Sequence, residues 1–205
     1  MSAIEVQTPH GQARVHLHPV AGAWGALVLG HGAGGGIGAG DLQAATRAAL
    51  AEGFVVALVE QPYRVAGRRA PALAAQLDSA WSTVIKRLRG AELEDLALVF
   101  GGRSLGARVA CRAAAAGGAA GVLCLAFPLL PPRRAASRRE PQSRLPELEA
   151  VPVPTLVVQG ARDRFGIPPP GPMRTVVEVT GDHSLRSDLP AVGEAVGTWL
   201  AQLSG

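Results

Sequence analysis

The chain has 205 residues, a length one domain accommodates, and its 48% hydrophobic and 18% charged residues are too apolar for disorder and sufficient for a large core. Net charge is +4, yet Lys86 is the single lysine among 20 basic residues and aromatics are only 4%, a balance that looks like arginine-rich genomic bias rather than a base-stacking nucleic-acid surface.

Strands are expected at Ile4–Val6 and Ala13–His18, followed by a buried run at Ala26–Leu29 that ends in the Gly-rich loop His31–Gly40. A helix over Leu42–Glu52, with Asp41 as candidate cap and Gly53 as stop, leads to a strand at Phe54–Val59. A loop with Pro62 and Pro71 precedes a helix over Ala72–Leu88. Strand Leu96–Phe100, helix Leu105–Ala116 and strand Val122–Phe127 come next. Pro128–Val151 reads as irregular. Strands at Thr155–Val158 and Thr175–Val179 and a helix at Ala191–Leu203 close the pattern. This alternation predicts an α/β fold: a three-layer sandwich with a mostly parallel twisted sheet, helices on both faces and no large cap, as a single domain over 1–205. Ligands of such sheets bind at the strand carboxyl ends.

Two cysteines make neither a disulfide framework nor a four-ligand zinc site. Cys111 and Cys124 fall in apolar patterns and read as buried thiols of a reducing compartment. The start of the chain carries no export pattern, and no run reaches the ~18 apolar residues of a membrane helix. The expectation is a soluble cytoplasmic protein with no nucleic-acid and no membrane partner. The cluster Arg133, Arg134, Arg138, Arg139 and Arg144 reads as a solvated Pro-rich loop, with an acidic partner or substrate as the alternative.

Gly102-Arg103-Ser104-Leu105-Gly106 matches G-x-S-x-G between a strand and a helix, where a nucleophile elbow belongs. The bland alternative is a Gly-rich connection whose serine caps the helix. A nucleophilic serine needs a base and an orienting acid, in the chain order Ser, acid, His. Only His183 follows Ser104; His10, His16 and His18 precede or belong to the early strands and read as surface residues. Asp163, after the strand Thr155–Val158, is the best acid, because Asp182 is adjacent to His183 and seldom placed to meet its Nδ1. The Leu105 amide, with that of Ala33 or Gly34, is the candidate oxyanion hole. His31, Glu60, Tyr63 and Arg103 are candidate pocket residues, Arg103 as a contact for an anionic group or as an exposed structural residue. Trp24, Trp81 and Trp199 read as packing residues. No metal-ligand spacing occurs, and this chemistry needs no metal or cofactor.

A rival reading of the same loop exists. Gly30, Gly32 and Gly35 satisfy G-x-G-x-x-G after a strand, and Glu60 ends the next strand, which approximates a dinucleotide-binding fingerprint. The loop runs on through Gly38 and Gly40, longer than such a turn requires, and that reading leaves Ser104, Asp163 and His183 without a role.

These motifs, in this order, resemble the α/β-hydrolase superfamily over nearly the whole chain. Gln159-Gly160-Ala161-Arg162-Asp163-Arg164-Phe165-Gly166 and Gly181-Asp182-His183-Ser184-Leu185 are similar to the dienelactone-hydrolase-like branch. Its small testis-expressed-type hydrolases have similar endings, together with Phe127-Pro128-Leu129 and Pro62-Tyr63. The resemblance implies Ser–Asp–His roles for Ser104, Asp163 and His183. Dienelactone hydrolases proper carry a cysteine nucleophile where this chain has Ser104, so their substrate is not carried over. The function expected is a serine hydrolase acting on a small ester or similar acyl substrate, with a catalytically silent scaffold as the alternative from another class.

Overall fold

The computed structural model describes residues 2–132 and 142–203. β1 (Ser2–Thr8) and β2 (Gly11–His18) form a hairpin, and β3 (Gly25–Gly30), α1 (Gly40–Ala51) and β4 (Phe54–Glu60) follow. Next come α2 (Pro62–Val65), α3 (Ala74–Arg89), β5 (Ala97–Arg103), α4 (Leu105–Ala113) and β6 (Gly121–Leu125). The chain ends in α5 (Leu145–Glu149), β7 (Thr155–Gly160), β8 (Arg174–Val179) and α6 (Leu189–Leu203). One eight-stranded sheet results, in the order β1-β2-β4-β3-β5-β6-β7-β8. From β4 through β8 neighbouring strands are parallel, while β2 is antiparallel to both β1 and β4.

The central strands are apolar at every position because both faces are covered. Along β3, Ala26 and Val28 face a layer with Trp81, Val84 and Leu88 of α3 and Ala107 and Cys111 of α4. Leu27 and Leu29 face the opposite layer, with Leu42 and Ala45 of α1 and Val196 and Leu200 of α6. The alternation continues in β5, where Phe100 points to the first layer and Val99 to the second. Burial of a side chain such as Phe100 contributes about 1.5–3 kcal/mol. Both cysteines are free and buried. Trp81 and Trp199 are buried, whereas Trp24 is 37% exposed and packs edge-on against Phe54 at 4.3 Å.

Two short helices depart from the expected pattern, and both carry a proline in the first turn. Pro62 opens α2 and Pro146 lies in the first turn of α5. A proline there has no amide hydrogen bond to lose and its fixed φ suits a first turn, so Pro128–Val151 is not wholly irregular. Arg133, Arg134, Arg138 and Arg139 lie outside the described residues. Asp41 also departs from expectation: Ala39 occupies the N-cap, and Asp41 sits inside the first turn of α1. No cap domain is inserted among the described residues, and no described helix is long and apolar enough to cross a membrane.

Candidate active site

β5 runs three residues past its expected end, to Arg103, and α4 begins at Leu105, which leaves Ser104 alone at the junction. Its φ of 51° and ψ of −102° are unusual for a residue with a side chain and cost roughly 1–3 kcal/mol. Surrounding contacts enforce the turn. Ser104 donates its amide hydrogen to the Leu125 carbonyl at 2.9 Å, tying it to β6. A Cβ at position 102 or 106 would stand 2.5 or 2.3 Å from the Gly30 carbonyl oxygen. Glycines at both positions therefore let β3, β5 and α4 converge beneath Ser104.

The three residues expected to work together are brought together. Ser104 Oγ is 2.9 Å from His183 Nε2, and His183 Nδ1 is 2.7 Å from Asp163 Oδ2. With Nδ1–H donating to the carboxylate, Nε2 presents a lone pair to the hydroxyl, a tautomer assigned from the bonding network. The Asp163 side chain is fully buried. It also accepts the Phe165 amide at 2.9 Å and the Gln159 Nε2–H at 2.8 Å. Gln159 Nε2 meets the Phe127 and Gly166 carbonyls at 3.0 and 2.9 Å as well. All three partners are acceptors, which fixes the orientation of the amide. The Phe165 ring stands edge-on to the His183 ring at 4.5 Å. A hydroxyl bonded to an imidazole whose far side is held by a carboxylate can lose its proton as it attacks an electrophile.

Asp182 does different work. Its Oδ1 accepts the Ser184 amide and hydroxyl at 2.8 and 2.6 Å, and these bonds hold its carboxyl below the usual range. It shapes the turn that carries His183. A Cβ at Gly160 would lie 2.3 Å from the Asp182 carbonyl oxygen, so the end of β7 and the His183 loop pass each other backbone to backbone. Gln159 and Gly160 pack directly behind Asp163 and the His183 loop, and neither is a candidate site residue of the sequence. The available signals were an amide side chain inside an apolar strand and a glycine at its carboxyl end.

The Gly-rich loop lies against the elbow, since a Cβ at Gly32 would be 3.8 Å from Ser104 Cβ. Among the described residues the Ala33 and Gly34 amides donate no hydrogen bond, and Leu105, first in α4, has no intrahelical acceptor. His31 and Tyr63, both candidate pocket residues, brace this loop. His31 Nδ1–H donates to the Gly32 carbonyl at 2.9 Å, while Nε2 accepts the Gln61 amide at 3.1 Å. Burial lowers the His31 pKa, which keeps the ring neutral and Nε2 an acceptor. Tyr63 donates its hydroxyl to the Ala33 carbonyl at 3.2 Å, and burial pushes its pKa up to about 12.

Glu60 and Arg103 are also committed to protein partners. The Glu60 carboxylate pairs with His16 Nε2 at 2.8 Å, so His16 is not a free surface residue and Glu60 is not an open ribose ligand. Gly30 is spent on the contact with α4, which removes a second part of the dinucleotide fingerprint. Arg103 is part-buried rather than exposed: its Nε is 2.8 Å from Asp41 Oδ2, and its Nη2 donates to the His183 carbonyl at 3.2 Å. Among the described residues, no group of three metal-ligating side chains converges.

Residues 24–188 match the alpha/beta hydrolase domain family, and the chain belongs to it. Solved structures share the fold over almost the full length. A serine hydrolase without lid from Xanthomonas campestris is 20% identical, with a TM-score of 0.73 over 98% of this chain and 94% of its own. A dienelactone hydrolase from Anabaena variabilis is 17% identical, with a TM-score of 0.76 over 98% of this chain and 96% of its own. An alpha-beta serine hydrolase homologue from Coxiella burnetii is 15% identical, with a TM-score of 0.75 over 98% and 97%. No curated protein matches the sequence significantly.

Proposed function

We propose that this chain is a carboxylesterase-type serine hydrolase that cleaves a small ester, or a comparably activated acyl group, through an acyl-enzyme. Ser104 Oγ attacks the acyl carbon while His183 Nε2 takes its proton. Asp163 holds the imidazole and stabilises the cation that forms. The carbonyl electron pair moves onto oxygen, where the Leu105 amide and that of Ala33 or Gly34 receive it. Collapse expels the alcohol, which takes the proton from His183. A water then repeats the sequence on the acyl-enzyme, releases the acid and restores Ser104. Every proton has a side chain to move it, so the proposal calls on no metal or cofactor. Buried free thiols fit a reducing, cytoplasmic setting, with the whole chain acting as one domain.

The observation that carries this reading is the continuous hydroxyl–imidazole–carboxylate chain, 2.9 and 2.7 Å long in its two links, at a strained elbow. A fluorophosphonate tests it, because the probe reacts with an activated serine and not with a fold. Ser104 is expected to be the sole modified residue by mass spectrometry. Modification elsewhere, or none, overturns the hydrolase reading in favour of a silent scaffold. The lack of a cap domain among the described residues supports small substrates. Across p-nitrophenyl esters kcat/KM should be highest for short acyl chains, each added CH₂ gaining well under the ~0.8 kcal/mol of full burial. A steady rise toward long chains would show a deep acyl channel.

A further inference from the structure

Arg103 is the residue immediately before Ser104, and its guanidinium reaches three separate parts of the site. Nε stands 2.8 Å from Asp41 Oδ2, in the first turn of α1 where the Gly-rich loop ends. Nη2 donates to the His183 carbonyl at 3.2 Å. Nη1 occupies the space over Gly32, where a Cβ would come within 2.9 Å of it. The Asp41 side chain is 1% exposed and the Arg103 side chain 18%, so the pair is largely shielded from water. Asp41 is itself fixed, because its Oδ1 accepts the Leu42 amide at 2.9 Å. Burial pushes its carboxyl upward, and the charge opposing this is that of Arg103.

We propose that Arg103, clamped by Asp41, is a positioning residue that sets where the His183 loop and the Gly32–Ala33 segment stand relative to Ser104. The inference rests on the serine-hydrolase reading and deepens it. His183 is carried on a loop after the last strand, and the Gly-rich loop contains six glycines between Gly32 and Gly40. Neither segment has the ladder of hydrogen bonds that holds Ser104. A planar guanidinium spreads its charge over three nitrogens, so one rigid centre can set Nε against the Asp41 carboxylate as an ion pair while Nη2–H donates to the His183 carbonyl. An ammonium is a point charge that cannot span both. Fixing the base against the nucleophile matters because small misplacement of reacting groups costs large factors in rate.

The test compares Arg103→Lys, which keeps a cation against Asp41 and so the fold, with Asp41→Asn and the double variant. With p-nitrophenyl acetate, kcat should fall roughly 10- to 100-fold in each single variant while KM changes little. Inactivation by a fluorophosphonate should slow in parallel. The double variant should lose little beyond either single one, since the two residues act as a unit. The downfield Nδ1–H proton resonance of His183, followed by NMR, should broaden or shift in both variants, a change that a loss of global stability alone would not produce. Wild-type kcat, labelling rate and His183 resonance in a folded Arg103→Lys protein overturn the proposal. So does a loss confined to KM, which would make Arg103 a substrate contact. Should wild type fail to label at all, the hydrolase reading falls, and the resonance still decides whether Arg103 positions His183.

Discussion

Helix α4 has an arginine–carboxylate cluster at each side, and the two clusters differ in what they join. On its outer surface Arg112 makes a bidentate pair with Asp78 of α3 at 2.8 and 2.7 Å, and Arg108 binds Glu147 of α5 at 2.9 Å. Exposures of 19–30% leave these side chains within reach of water. Just before its start, Arg103 meets an Asp41 that is 1% exposed. The outer cluster ties helix to helix within one layer, where a shift of some tenths of an ångström alters nothing chemical. The inner pair ties the end of the Gly-rich loop to the loop that carries His183, the base of the proposed reaction. The same functional groups should therefore register as stability on one side and as rate on the other.

The largest effects belong to the site itself. Ser104→Ala and His183→Ala should each lower kcat by about 1,000,000-fold in ester turnover, and Asp163→Asn by about 10,000-fold. Asp163→Asn should also cost about 1–3 kcal/mol of stability, because its amide N–H₂ would face the Gln159, Phe165 and His183 donors. Near-normal turnover in Asp163→Asn alongside loss in Asp182→Asn would transfer the acid role. Activity of the wild type should also fall as pH drops, since a protonated imidazole cannot accept the Ser104 proton.

The braces behind the Gly-rich loop should give an intermediate result, affecting rate and stability together. His31→Leu leaves the buried Gln61 amide without an acceptor, which costs about 1–3 kcal/mol by denaturant titration. Because burial sets the folded pKa of His31 below 6.5, the unfolded chain binds this proton first as pH falls. The stability linked to neutral His31 is complete above 6.5 and is lost as pH falls toward the folded value. Wild type should lose stability across that window, and His31→Leu should lose less.

The smallest effect sharpens the contrast most. Burial pushes the Glu147 carboxyl upward, but the hydrogen bonds and charges of Arg108, with those of Arg112 and Arg144, outweigh it and hold it below 4.5. Its contribution is thus present in full above 4.5 and is lost as pH falls through the depressed folded value. Glu147→Gln should cost about 1 kcal/mol or less at neutral pH, a difference that shrinks in acid, and should leave kcat unchanged. A loss of rate there would erase the distinction between the two clusters.

Much of this arrangement is legible in the residue order. Unbroken apolar runs in β3, β4 and β6, separated by helical stretches, announce a sheet covered on both faces, because only double burial makes both sets of alternating side chains apolar. Gly102 and Gly106 around Ser104 announce the elbow, because the backbone there leaves no room for a Cβ. Asp163 and His183 follow as the acid and imidazole at the ends of later strands, where parallel sheets gather their functional groups. What the side chains of His31, Glu60, Tyr63 and Arg103 do is not legible in the residue order, since position along the chain alone marks them as pocket candidates. Glu60 meets His16 because β2 pairs antiparallel to β4 with His16 opposite Leu58, which places Glu60 diagonally across on the same face. Tyr63 turns inward because Pro62 starts a helix, and Arg103 turns toward Asp41 and the His183 loop rather than toward solvent. Periodicity and motif spacing act along the chain and determine which elements form and in what order. The partner of a polar side chain is selected across the sheet, by strand register and by which loops pack together, and that choice exists only once the tertiary structure has formed.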